Sequence, residues 1–347
     1  MIRKMKSICI FFIICCLAIS GCGNKIEQSK YSEEKEEKIQ IGICFDSFLI
    51  ERWERDRDVF VSTAKELGAE VNVQNANGSV ETQISQINYL IDKKVDVIVV
   101  ICVAGDCLKE VVERAKKEGV KIIAYDRMIL NSGVDLYISF DNEKVGSLMG
   151  NAVVTSGKNC KNVLMLTGPN TDNNVGLVNK GFLDVMTSNN INIVDTMHAD
   201  AWRPEYASDY LYSHPEMLDK VDVIMCGNDN IATSTVRVLA EKRKAGDILV
   251  TGQDADLEAC QRIVEGTQLM TVYKPVELLS KQAAECAVKL AKNESLEGIN
   301  TKLSDGTYDI DSIILDPIAV TKSNIDDTVI KNGFHSKEEV YLNVSGK

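Results

Sequence analysis

The chain has 347 residues, 45% of them hydrophobic and 26% charged, which suits two globular domains and excludes a disordered, collagen-like or disulfide-knotted chain. Its 51 Asp and Glu outnumber 39 Lys and Arg, and a net charge of −12 excludes nucleic acid as the partner, because phosphate binding needs clustered cations. Eleven cysteines are an odd number whose positions say more than the count.

The chain opens M-I-R-K-M-K, runs apolar from Ile8 to Ile19, and then reads Ile-Ser-Gly-Cys to Cys22. A basic start, a short apolar stretch and small residues before a cleavage point predict a signal peptide over 1–21. Twelve apolar residues are too few to span a bilayer, which needs about 20. The Ile-Ser-Gly-Cys ending resembles a bacterial lipobox, which makes Cys22 the expected lipidation site and the membrane the expected anchor point. Cleavage there removes Arg3, Lys4 and Lys6 and no acid, deepening the net charge to −15, and it discards Cys9, Cys15 and Cys16. Residues 22–38 are polar and charged and read as a tether. Beyond the anchor, Cys44, Cys102, Cys107, Cys160, Cys226, Cys260 and Cys286 sit mostly in apolar runs, without a C-x-x-C or a Cys/His cluster. No metal site is expected, and seven thiols on an exported chain point to a reducing habitat.

From Ile39 onward, short β-rich apolar runs alternate with amphipathic stretches. In order, the runs are I-Q-I-G-I-C-F, E-V-N-V-Q, V-D-V-I-V-V-I, V-K-I-I-A-Y and D-L-Y-I-S-F, then N-V-L-M-L-T, I-N-I-V-D-T-M, V-D-V-I-M-C, I-L-V-T-G and M-T-V-Y-K. Consecutive apolar residues predict parallel strands buried on both faces. Between them, residues 53–68 predict a helix closing on Gly68, and residues 107–119 one closing on Gly119. Residues 80–94 predict a helix with Val80, Ile84, Ile87 and Ile91 on its buried face. A long helix is expected from Pro275, at its first position, to about Lys292, followed by the apolar run S-I-I-L-D-P-I-A-V. The ten strands divide near Asp141-Asn142 into two sets of five, predicting two similar doubly wound α/β lobes with a cleft between them. The late elements are expected to recross between the lobes.

In open α/β sheets ligands bind beyond the carboxyl ends of the strands. The first strand is followed by Asp46, Ser47, Arg52 and Trp53, the second by Asn75 to Gly78, the fourth by Asp126 and Arg127, and the fifth by Asp141 and Asn142. The sixth is followed by G-P-N-T-D-N-N (168–174), the seventh by Asp200, Trp202 and Arg203, the eighth by Asn228-Asp229, the ninth by Gln253-Asp254, and the tenth by Lys274. The chain has only two Trp, one at a strand end in each half. Facing each other across a cleft, they would cover the two faces of a flat ligand while Asp, Asn and Arg bond its edge, a pairing that suits a sugar ring. Each residue also has a plainer reading: Trp as packing, Asp126-Arg127 as a structural ion pair, Lys274 as a solvated cation. Asp141-Asn142 and Asn228-Asp229 also fit helix N-caps. The sugar reading accounts for all of them together.

L-I-E-R-W-E-R-D-R-D, N-A-N-G-S-V-E-T-Q-I-S-Q-I, A-Y-D-R-M-I, Y-I-S-F-D-N-E-K-V-G, D-N-N, G-Q-D-A-D, G-T-Q-L-M-T-V-Y-K-P and D-T-V-I-K-N-G-F-H together resemble the bacterial D-xylose-binding proteins, solute-binding components of sugar ABC transporters. The likeness covers about residues 39–335. It implies the type I periplasmic binding protein fold, two lobes joined by a three-strand hinge that close on the sugar. The lobes would be 39–142 with 275–315, and 143–274 with 316–347. The implied ligand shell is Arg52, Trp53, Asp126, Arg127, Asn142, Trp202, Asn228, Asp254 and Lys274, with Asp141 and the D-N-N residues, Asn173 especially, lining or bracing the cleft. Asp46 is kept, but Ser47 and Leu49 stand where the family often carries polar partners, a departure that bears on preference among pentoses. The implied partners are D-xylose or a related pentose and an ABC transporter permease or, alternatively, a membrane sensor kinase. No cofactor is implied. The first strand leads into C-F-D-S rather than G-x-G-x-x-G, and no P-loop or nucleophile elbow occurs, so an enzyme is not expected.

Overall fold

The computed structural model describes residues 38–344, so the signal segment, Cys22 and nearly all of the tether lie outside the described residues. The strands are β1 (Gln40–Phe45), β2 (Glu70–Asn75), β3 (Val97–Val100), β4 (Lys121–Tyr125), β5 (Leu136–Phe140), β6 (Asn162–Thr167), β7 (Asn192–His198), β8 (Val223–Cys226), β9 (Leu249–Thr251), β10 (Met270–Tyr273), β11 (Thr301–Ser304), β12 (Asp309–Leu315) and β13 (Ile318–Thr321). The helices are α1 (Arg52–Glu66), α2 (Val80–Asp92), α3 (Lys109–Lys117), α4 (Asn142–Val154), α5 (Asn173–Ser188), α6 (Glu205–Ser213), α7 (Asp229–Glu241), α8 (Leu257–Glu265), α9 (Val276–Ala291) and α10 (Lys337–Val340).

All ten strands expected from the apolar runs form, in two sheets. One has the order β11-β12-β5-β4-β3-β1-β2 and the other β13-β10-β9-β8-β6-β7. Pairing is parallel except at one edge of each sheet, where β11 runs against β12 and β13 against β10. The 2-1-3-4-5 order is that of the doubly wound fold, and it places the strands' carboxyl ends along one rim. The central strands β3, β6 and β8 are buried along almost their whole length, which their unbroken apolar runs require, whereas the edge strand β2 is half-buried and alternates. The chain passes between the sheets at three places: after Phe140, between Tyr273 and Val276, and between Leu315 and Ile318. Two of these run side by side, with Phe140 paired to Leu315 and the Asp141 amide donating to the Leu315 carbonyl at 3.0 Å.

Asp316-Pro317 divides the apolar run 312–320 and sends β12 and β13 to different sheets. Two local details depart from the sequence expectation. Pro275 is the N-cap of α9 and not its first helical residue, a shift of one position. On α2 the buried residues are Gln83, Ile87, Leu90 and Ile91, with Val80 and Ile84 only half-buried. Gln83 belongs on the buried face because its amide donates to the Ile101 carbonyl and accepts from the Val103 amide, both at 2.9 Å, closing the loop after β3.

The seven cysteines of the described residues are all unpaired, and only Cys107 is exposed. Burial pushes the Cys44 and Cys226 thiols up to about 12 and Cys286 to about 11, which makes them inert small hydrophobes.

Candidate functional site

The rims of the two sheets face each other, and the loops after β1, β4, β6, β7, β9 and β10 meet at an enclosed cavity. It is lined by Ile50, Arg52, Trp53, Asp126, Arg127, Asn142, Asp172, Asn174, Val175, Trp202, Gln253, Asp254 and Lys274. Eight of the residues singled out from the sequence are there: Arg52, Trp53, Asp126, Arg127, Asn142, Trp202, Asp254 and Lys274.

Arg52 enters at the first residue of α1, where the helix turns back from the rim. Its guanidinium meets Asp56 one turn on at 3.2 Å and Asp126 at 2.9 Å, and comes within 4.0 Å of Asp254. It also lies 4.3 Å from the ring centre of Trp53, a cation–π contact. Burial works against the Arg52 charge, but the three carboxylates outweigh it and raise its pKa. Asp56 is braced by the Tyr125 hydroxyl, and burial, opposed by Arg52, leaves its pKa raised. Asp126 sits just past β4 with φ of +62°; its carbonyl accepts from Tyr137 and Ser139 hydroxyls at 3.0 and 2.7 Å. Burial would raise its pKa, but Arg52, Lys274 and Arg127 together hold it below the ordinary value.

Arg127 is the second node. Its Nη1 donates to Asp46 at 2.8 Å and to the Cys102 carbonyl at 3.0 Å, while its Nε reaches Asp172 of the other lobe at 2.7 Å. Asp172 also accepts from the Trp202 indole nitrogen at 3.2 Å and caps α5 through the Asn174 amide at 3.0 Å. Burial leaves the Asp172 carboxyl raised, with the Arg127 charge opposing the rise. Asn174 crosses between lobes as well, donating to the Asp126 carbonyl at 3.0 Å and its carboxylate at 3.1 Å. Lys274, at the end of β10, pairs with Asp254 at 3.1 Å.

Trp202 rests on Gly168, where a Cβ would come within 2.4 Å of the indole; only glycine lets the ring lie this close to the loop after β6. Ala201 and Trp202 are both left-handed, with φ of +51° and +59°.

Three of the sequence-derived residues serve elsewhere. Asp141 caps α4, accepting from the Lys144 amide at 2.9 Å, and Asn228 caps α7, accepting from the Ile231 amide at 2.9 Å. Asn173 is the first residue of α5 and faces a separate groove of about 720 Å³ beside the hinge, together with Asp141. Asp172 and Asn174, named only within the loop 168–174, and Gln253, named beside Asp254, lie outside the implied ligand shell, although each follows a strand in a loop that held the candidates.

The cavity's three cations, Arg52, Arg127 and Lys274, face Asp46, Asp56, Asp126, Asp172 and Asp254. With this surplus of carboxylates the site is unsuited to an anion. It also carries spare capacity: Trp53 Nε1, Asn174 Oδ1 and Gln253 Oε1 are buried without a hydrogen-bond partner. Free donors and acceptors beside two indoles suit a neutral polyhydroxyl ring. The free space is about 30 Å³, room for a water or two, so a ring must part the lobes to enter and takes over bonds that now run between side chains. Among the described residues no group of His, Cys, Asp and Glu could hold a metal ion.

The model of a periplasmic binding protein domain matches residues 41–295. The chain is 42% identical to the D-xylose-binding periplasmic protein of Haemophilus influenzae over 94% of this chain and 98% of that one. It is likewise 42% identical to the protein of that description from Escherichia coli K12, over 87% and 93%. Among solved structures, an ABC transporter solute-binding protein from Clostridium phytofermentans with bound β-D-glucose superposes with a TM-score of 0.79 at 26% identity, covering 87% of this chain and 99% of that one.

Proposed function

This chain belongs to the periplasmic binding protein family, and we propose that within it the protein is an extracytoplasmic receptor for a monosaccharide, D-xylose foremost, which it delivers to an ABC transporter. The observation that carries this reading is the set of bonds running from lobe to lobe through one cavity: Arg127 to Asp172, Asn174 to Asp126, and Arg52 toward Asp254. A ring whose hydroxyls satisfy both halves of these pairs, and the unpartnered atoms beside them, binds the closed arrangement better than the open one. That difference in affinity is what drives closure. Buried polar groups left unpaired by a missing or inverted hydroxyl supply selectivity. The family is one of substrate-binding receptors, which supports reading these bonds as a binding site.

The lipobox-like ending makes Cys22 the anchor that keeps the receptor at the membrane beside its transporter. Cys22→Ser should move the protein from the membrane fraction to the soluble fraction while leaving sugar affinity intact.

A calorimetric screen of D-xylose, other pentoses and hexoses tests the main reading. Tight, one-to-one binding of D-xylose supports it; no heat from any pentose, or a hexose bound more tightly, would overturn it.

A further inference from the structure

The turn that carries Gln253 and Asp254 into the cavity is held in a shape its own residues disfavour. Asp254 and Ala255 are consecutive left-handed residues, with φ of +96° and +57°, and neither is glycine. L side chains keep such a conformation only where the surroundings impose it. Asp229, which lines no part of the cavity and is fully buried at the start of α7, imposes it. One carboxylate oxygen accepts from the Asp256 amide at 3.1 Å and from the Thr271 hydroxyl at 2.6 Å. The Thr271 oxygen accepts in turn from the Ala255 amide at 3.2 Å, so both amides after Asp254 lead back to one carboxylate. The other oxygen accepts from Gln268 at 2.9 Å, and the Asp229 amide donates to the Gln253 carbonyl at 3.0 Å. A Cβ at Gly252 would fall 2.1 Å from that second oxygen, so the glycine leaves the carboxylate its place.

We infer that Asp229 is a positioning residue for the sugar site: by holding the amides of Ala255 and Asp256 it aims Asp254 at Lys274 and Arg52, and gain of a proton on its carboxylate weakens ligand binding. The inference rests on the sugar-receptor reading above. Its chemistry is local. Every atom that reaches the carboxylate is a donor: the Thr271 hydroxyl, the Asp256 amide and the Gln268 side chain. Gln268 cannot turn round to accept, because its oxygen already takes a bond from Arg262 at 2.9 Å and its nitrogen gives a second to the Met270 carbonyl at 3.1 Å. A proton on Asp229 therefore confronts a donor, and the simplest relief turns the Thr271 hydroxyl round to accept from Asp229, so that this proton and the Ala255 amide share one oxygen and the Ala255 bond weakens.

The charges facing Asp229 are Asp254 on the turn and Asp256 and Arg262 from α8, with Glu51 beyond Asp256 and Lys274 beyond Asp254. Burial, with Asp254 adding to it, raises the Asp229 carboxyl against the pull of Thr271, Arg262 and Gln268, and Asp256 beside it is raised by burial and by Asp229, so the two carboxyls take up a proton as a pair.

The test is calorimetric titration with D-xylose at pH 8 and pH 6, in paired buffers of different ionisation enthalpy. Because the Asp229 carboxyl is raised, the wild type should bind more weakly at pH 6 than at pH 8, and binding at the lower pH should release a proton. Asp229→Asn should bind roughly tenfold more weakly than wild type at pH 8, with no proton released and a flat pH profile, since an amide puts a donor where acceptors are needed. A folded Asp229→Asn protein with wild-type affinity and the wild-type profile overturns the inference. Should that variant fail to fold, Thr271→Val decides: roughly tenfold weaker affinity, restored by Thr271→Ser, supports the inference, and wild-type affinity overturns it. A wild type that binds no pentose at all would instead defeat the receptor reading itself, a distinct result.

Discussion

On the first lobe's face of the cavity, Arg52 and Arg127 are held by carboxylates and carbonyls of their own lobe: Asp56 and Asp126 for one, Asp46 and the Cys102 carbonyl for the other. On the second lobe's face, Asn174 and Gln253 keep an unpartnered oxygen each, and Trp202 and Asp254 stand on left-handed backbone that neighbouring groups must maintain. The first face braces its two arginines from within its own lobe, though it too carries an unpartnered Trp53 Nε1 and a left-handed Asp126; the second face carries the unpaired amide oxygens. Two copies of one architecture thus divide the labour of capture, one supplying a fixed charged lattice and the other an acceptor-rich, supported surface.

The comparison breaks most sharply at Arg127. Arg127→Met leaves Asp46 and Asp172 buried without their cation, and should cost about 3–5 kcal/mol in a denaturant melt and abolish closure on sugar. A loss under about 1 kcal/mol would show the lattice to be replaceable. Trp202→Ala removes the second lobe's aromatic wall and should weaken D-xylose roughly ten- to a hundredfold, on the scale of one binding hot spot, along with a loss of stability from the cavity it leaves. Unchanged calorimetric affinity would take Trp202 out of the site.

Acidity separates two carboxylates that face each other across the cavity. Asp126 is held below its ordinary value of 3.8, so its contribution is present above that value and is lost as pH falls through the folded one. Asp172 is raised, so its contribution is present below 3.8 and is lost as pH rises through its folded value. The stability gap between wild type and Asp126→Asn should therefore be flat near neutrality and close in acid below 3.8, as followed by melting temperature against pH. The corresponding gap for Asp172→Asn should not close there.

The smallest contrast is between neighbours. Asn174→Ala loses two bonds to Asp126 and should weaken binding by about tenfold, whereas Asn173→Ala should leave affinity within about twofold. Asn228→Ala should lower stability by about 1 kcal/mol as a lost cap, without moving affinity.

The neighbouring asparagines also show where sequence reading stops. The D-N-N motif marks the right loop, but which residue turns inward depends on the phase of α5, and one residue along a helix is a rotation of about 100°. That phase is set when Asp172 caps the helix and pairs with Arg127, a contact between distant parts of the chain. Gln253 carries no charge to draw attention beside Asp254. By contrast, the buried strands were legible because parallel sheets need unbroken apolar runs, and Arg52, Asp126 and Lys274 stood out only as charges at strand ends, which the family resemblance and not the spacing tied to one site. The short strand β11, T-K-L-S, was not legible: it is mostly exposed, lies at a sheet edge and carries no apolar pattern.

The break at Asp316-Pro317 also sets an order of events. The first sheet is complete only when β12 pairs with β5, bringing Ser312 beside Tyr137, and everything that builds β6 to β10 lies between those two in the chain. The second lobe's five parallel strands are contiguous in sequence and can condense as soon as they emerge. The first lobe must hold β5 with an open edge until synthesis has nearly finished. That open edge is where the chain is most exposed to misassembly, because its partner is a long-range one that forms slowly.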